Sequence, residues 1–100
     1  MTSSATETAV ALAVRVELTA ERLAVDLTDG RTIAVPTAWF PRLVHATDAE
    51  RAQWRLIGAG RGIHWPAVDE DIAIEDLLAG RPSGECQESL RKWLAGREDD

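Results

Sequence analysis

The chain has 100 residues, 45% of them hydrophobic and 28% charged, and a formal net charge of −6. That length and balance make one soluble globular domain with one core. The acidic surface disfavours unaided binding to a phosphate backbone and favours encounter with a basic partner.

Residues 1–9 are small and polar and read as a disordered tail. From Val10 the pattern alternates. Val10, Leu12, Val14, Val16 and Leu18 fall on one face, with Arg15 and Glu17 on the other, as in a half-buried strand. Leu23, Val25 and Leu27 repeat the pattern, and Ile33 and Val35 form a third set. Matching the apolar faces sets Leu18 opposite Leu23, Val16 opposite Val25 and Val14 opposite Leu27. A two-residue turn at Asp29-Gly30 would mix the faces of the next pair. A three-residue loop, Thr28-Asp29-Gly30, puts Val25 opposite Ile33 and Leu23 opposite Val35, with Gly30 in a left-handed bulge position. The first strand is an edge, which also invites pairing with a second copy.

Pro36 closes the third strand. Thr37 is expected to cap a short helix carrying Trp39, Phe40, Leu43 and Val44, with Pro41 tolerated only in a first turn. Thr47-x-x-Glu50 is a capping box, so a second short helix runs from about Asp48 to Gln53. Residues 55–57 and 63–65 are extended, separated by Gly58, Gly60 and Gly62. Residues 75–79 form a short helix stopped by Gly80. After Arg81-Pro82, Ser83 is expected to cap a last helix, with Glu85 and Glu88 early and Arg91 and Lys92 late. Cys86, Leu90, Trp93 and Leu94 make its stripe, and Gly96 ends it. The chain therefore reads as α+β. An N-terminal three-stranded antiparallel meander packs with short helices, a further short strand and a C-terminal helix. Residues 10–80 form the domain, and residues 81–100 a linker and amphipathic helix.

The candidate chemistry is sparse. Cys86 is the single cysteine, which excludes an intramolecular disulfide and paired-cysteine metal motifs. A reducing cytoplasm is the expected location. The N-terminus lacks a basic stretch followed by an apolar core, and no apolar run approaches a membrane span. Gly58-x-Gly60-x-Gly62 lacks the helix that follows a dinucleotide fingerprint and the Gly-Lys-Ser/Thr ending of a phosphate loop, so it reads as a turn. In a strand, Ile63 and Trp65 point to the core and His64 outward or into a groove. His64 and the triplet Asp69-Glu70-Asp71 then admit two readings, a recognition surface or an acid–base group with an orienting carboxylate. The triplet lacks the alternating ligands of a calcium loop and reads as a turn plus charge at a helix start. His45 and His64 have no third His or Cys to complete a zinc site. Trp39 and Trp54 read as core lids, whereas Trp93 either docks back onto the domain or marks an interface.

Leu23 to Val35, Pro41-Arg42-Leu43, Ala46-Thr47, Glu50-Arg51, Trp54, Ile57-Gly58, Gly62-Ile63-His64-Trp65-Pro66, Asp69-Glu70-Asp71-Ile72 and Leu77-Leu78-x-Gly80 carry a likeness. Together they resemble the bacterial domain of unknown function family 2442 over about Val14 to Gly80, and the IHWP-x-x-DEDI run is the specific part. The resemblance implies a small bacterial α+β protein with no catalytic residues to carry over. It is similar to the N-terminal domain of a nitrifier protein in which a helix-turn-helix domain follows. Other members are encoded beside a second small domain, in an arrangement reminiscent of toxin–antitoxin pairs. The twenty residues after Gly80 are too few for a helix-turn-helix domain.

The expected function is a non-catalytic protein-interaction module, an antitoxin-like or regulatory partner of a small basic protein. The contact surface is expected to include His64, Trp65, Asp69, Glu70, Asp71 and Trp93. The alternative is a small-ligand-binding protein or enzyme using His64 with Asp69 or Asp71, and homodimerisation is a third reading. No cofactor, metal, membrane or direct nucleic-acid contact is expected.

Overall fold

In the computed structural model, which describes residues 11–98, three strands form an antiparallel meander in chain order. They are β1 (Ala13–Leu18), β2 (Arg22–Leu27) and β3 (Thr32–Pro36). The tail read at residues 1–9, and Val10, lie outside the described residues. Leu18 pairs with Leu23 and Val16 with Val25, as apolar matching requires. Further up β1 the register breaks. A bulge between Ala13 and Arg15 makes Ala13, not Val14, the partner of Leu27. An extra residue in one strand reverses the in–out alternation beyond it. Val14 is therefore 54% exposed, while Ala13 and Val16 are buried. The turn between β2 and β3 is the expected three-residue loop. Val25 faces Ile33 and Leu23 faces Val35, and Gly30 takes a φ of +93°.

After Pro36 come a 3-10 turn, Thr37–Trp39, and α1 (Pro41–Val44), with Pro41 in the first turn. Thr37 does not cap this helix. It is fully buried, and its hydroxyl donates to the Thr19 carbonyl at 2.9 Å, which ties the turn to the β1–β2 hairpin. The next helix, α2 (Asp48–Arg51), begins on the expected capping box. Glu50 N–H donates to Thr47 Oγ1 at 3.1 Å and Thr47 N–H donates to Glu50 Oε1 at 2.8 Å. Arg51 is buried, and its guanidinium donates to the carbonyls of Leu43 at 3.0 Å and Val44 at 2.8 Å. It supplies partners that the end of α1 cannot find within its own turn.

A second antiparallel sheet contains β4 (Arg55–Ile57), β5 (Gly62–Trp65) and β6 (Glu70–Ala73), in that order. The acidic residues expected at a turn and helix start thus enter a strand. Ile72 pairs with Ile63 and both are buried, so the core contact sets the conformation of Glu70 and Asp71. Helix α3 (Ile74–Ala79) follows and stops at Gly80, whose φ is +75°. Between β4 and β5 lies the glycine-rich turn. Gly60 has a φ of +97°, and a Cβ there would meet the Ala13 carbonyl oxygen at 2.8 Å. The turn is a joint between the two sheets.

The core takes Leu23, Val25 and Val35 from the first sheet and Ile63, Trp65 and Ile72 from the second, with Phe40, Leu43, Val68 and Leu77 among them. The last helix, α4 (Gln87–Glu98), runs through Gly96 instead of ending there. Ser83 does not cap it; its hydroxyl accepts the Glu85 N–H within the preceding segment. Among the described residues no helix is long and apolar enough to cross a membrane.

Candidate functional site

Strand pairing decides where the candidate residues point. Across β5 and β6, His64 stands opposite Asp71 and Trp65 opposite Glu70. Successive residues on a strand face opposite sides, so the two pairs separate.

His64 and Asp71 share the outer face, and His64 Nδ1 hydrogen-bonds to Asp71 Oδ1. Arg55 of β4 completes the row opposite His64. The next row is Ile57, Gly62 and Ala73. The Asp71 side chain is 65% exposed and that of His64 21%. His64 Nε2 has no hydrogen-bond partner among the described residues. A shallow depression of about 280 Å³ adjoins the pair, lined in part by Ile57, Arg61, Gly62 and Asp71.

Trp65 points the other way and is fully buried, donating its indole N–H to the Arg51 carbonyl at 3.2 Å. Its expected place on a contact surface is therefore corrected. Trp65 is a core residue, because it alternates with His64 on β5. Glu70 lies on that same inner side, half-buried. Burial, followed by the negative charge of Glu85, pushes its carboxyl up to about 7; Asp71 and Asp69 add to this and Arg42 opposes it. Asp69 occupies the turn between β5 and β6 with a φ of +52°, and its side chain is exposed.

Arg42, from α1, organises this inner side. Its Nε and Nη2 hold the Glu85 carboxylate at 2.8–3.0 Å, and its Nη1 donates to the Val68 carbonyl at 3.1 Å. The Arg42 guanidinium keeps the Glu85 carboxyl below its usual range. Arg97 of α4 does the same to Glu50, at 2.8 Å. Trp93 is half-buried, with the guanidinium carbons of Arg42 and Arg97 at 4.9 and 4.8 Å from its ring centre. Trp93 thus packs on its own domain. Beside it lies an open depression of about 560 Å³ bordered by Arg42, Asp69, Glu88 and Lys92.

The candidates therefore form two groups and a remainder: His64 with Asp71 outside, Asp69, Glu70 and Trp93 around Arg42, and Trp65 in the core. Arg42 and Glu85 escape a reading of the sequence because they lie 43 residues apart. A separate cleft of about 1040 Å³, lined by Asp29, Arg31, Arg61, Ile74 and Leu78 among others, touches none of the candidates.

A family model described as "Protein of unknown function (DUF2442)" matches residues 13–83. The chain belongs to the DUF2442 family. A solved protein of unknown function from Rhodospirillum rubrum is similar, with a TM-score of 0.66 and 28% identity over 77% of this chain and 95% of that one. An uncharacterized protein from Chromobacterium violaceum shares the fold, with a TM-score of 0.64 and 18% identity over 95% of this chain and 82% of that one. No curated protein matches the chain. The DUF2442 match includes both sheets and ends at residue 83, so Glu85 and α4 lie beyond it.

Proposed function

We propose that this DUF2442 chain is a non-catalytic protein-binding module that offers the outer face of its second sheet to a partner. The observation that supports this is the His64–Asp71 pair, set beside Arg55 on a face bordered by Ile57, which is 39% exposed. A polar row with an apolar margin on a nearly flat surface suits another protein, whereas small ligands favour deep concave sites. Among the described residues no buried side-chain polar atom lacks a hydrogen bond, so the core holds no group waiting for a ligand. The net charge of −6 favours a basic partner. The antitoxin-like role, as the acidic member of a two-protein pair, rests on that charge and on the family resemblance.

The His64–Asp71 contact also favours a second reading. A carboxylate on Nδ1 orients an imidazole so that Nε2 can take a proton. Asp71, not Asp69, would be the orienting group. The two readings separate in one experiment. Tagged wild type, H64Q and D71N are captured from native cells in moderate salt and their co-purifying proteins are quantified. A stoichiometric small basic protein retained by wild type and lost by both variants is the expected result. Equal recovery with all three would sink the proposed surface. A small molecule that raises the melting temperature of wild type but not of H64Q would move the case to the second reading.

A further inference from the structure

Strand β1 has β2 on one side and, among the described residues, no strand on the other. Its ladder with β2 decides which backbone groups face the open side. Thr19 N–H donates to the Arg22 carbonyl at 2.9 Å, and Thr28 N–H donates to the Leu12 carbonyl at 2.8 Å. Hydrogen-bonded and non-hydrogen-bonded pairs alternate along an antiparallel ladder. Counted from either of these bonds, Arg15 and Glu17 bond to β2, whereas Val16 and Leu18 turn their N–H and C=O groups away from it. Val16 is the middle of the open stretch. Gly60 lies against Ala13 on one side of it, and on the other the Thr19 carbonyl accepts the Thr37 hydroxyl. Charges on an edge strand ordinarily discourage pairing. Here they have opposite signs and flank Val16 symmetrically. Arg15 and Glu17 are both exposed, and neither has a hydrogen bond or ion pair among the described residues. Val14, on the same strand, is the most exposed large apolar residue among those described, at 54%.

We propose that the open edge of β1 pairs with the same edge of a second copy of the chain, antiparallel about a two-fold axis at Val16. In that register the two Val16 residues exchange both backbone hydrogen bonds. Arg15 of each copy then stands opposite Glu17 of the other, in a non-hydrogen-bonded pair, where side chains approach most closely. The three-stranded sheet of one copy continues into that of the other. Exposed ion pairs contribute little energy, so the charges act by selecting this register over its neighbours. An axis at Arg15 or at Glu17 would set like charges opposite each other. An axis at Leu18 would run the pairing into the turn, where Thr37 already engages the Thr19 and Glu21 carbonyls. An axis at Val14 would fall on the bulge. The two-fold contact is self-complementary and closes at two copies, so the edge does not template a fibre. It lies on the first sheet, apart from the His64–Asp71 pair on the second, and the two proposals fail independently.

The test is sedimentation equilibrium of the full chain over a wide concentration range, with circular dichroism to verify each fold. Wild type should approach twice the chain mass. R15E and E17R should each lose the dimer, because each sets like charges across the axis twice. The double variant R15E/E17R should regain it, and so should an equimolar mixture of the two single variants, as a mixed dimer. A wild type that stays monomeric at every concentration overturns the proposal. So does a single variant that dimerises as well as wild type, or a mixture that remains monomeric. Should a charge reversal disturb the fold, cysteine pairing decides in its place. In a C86S background, R15C mixed with E17C should form an intermolecular disulfide under mild oxidation by oxidised glutathione, and R15C alone should not. Equal crosslinking in both cases, or in neither, overturns the register.

Discussion

Glu70 is held on the core side of β6, where water screens its charge poorly, and this disadvantage exists only in the folded chain. Its ordinary value is 4.5 and its folded value about 7. Between those values the folded chain keeps a proton that the unfolded chain has released. The stability this group contributes is thus complete below the ordinary value and is lost as pH rises through about 7. Discounted for partial exposure, the loss is on the order of 1–2 kcal/mol. Replacing Glu70 by glutamine should therefore raise the urea midpoint at about pH 8 and leave it nearly unchanged at about pH 4. An equal gain at both values would show that ionisation is not the cause. Glu85 and Glu50 act in the opposite sense. Their values are lowered, so their contribution is present above the ordinary value and fades as pH falls through the folded one.

At the scale of elements, Arg51 joins α2 to the end of α1. Arg51→Ala strips partners from the Leu43 and Val44 carbonyls and should cost roughly 2–4 kcal/mol, read from denaturant unfolding. Arg51→Lys should recover only part of this, because an ammonium cannot fork between two carbonyls as a guanidinium does. A loss below about 0.5 kcal/mol for Arg51→Ala would mean that water replaces the guanidinium. Nothing around Arg51 in the sequence marks it for burial. The β2–β3 hairpin was legible because only one loop length keeps Leu23, Val25, Ile33 and Val35 on one face. The bulge in β1 was not, because Val14 continues an alternation that Ala13 in fact breaks. The capping box at Thr47 was legible because both of its partners are local. Thr37 has the same chemistry, but its hydroxyl finds Thr19, which is distant in sequence. At the candidate site, His64 could be chosen, yet Asp69 and Asp71 could not be ranked until the β5–β6 register set Asp71 opposite it. The Arg42 cluster was hidden because its members come from three separate segments.

On the scale of the molecule, two local meanders share one core, with an added helix outside the family's matched span. Each sheet pairs only strands adjacent in sequence, β1-β2-β3 and β4-β5-β6. The meeting of Gly60 with Ala13 is different, since it exists only when the two sheets have come together. Gly60→Ala puts a methyl group into the Ala13 carbonyl and a side chain at a φ of +97°, a strain of about 1–3 kcal/mol. The timing of that contact sets how the strain appears. Pairing within each sheet closes short loops and comes early, whereas the joint forms late. A late contact acts on the escape from the native state and not on the climb towards it. Stopped-flow chevrons of Gly60→Ala should therefore show an unfolding limb raised about tenfold or more over a nearly unmoved refolding limb. A slowed refolding limb would place the joint in the folding nucleus. With the expected pattern, this one glycine sets how long the folded molecule lasts and has little bearing on how quickly it is made.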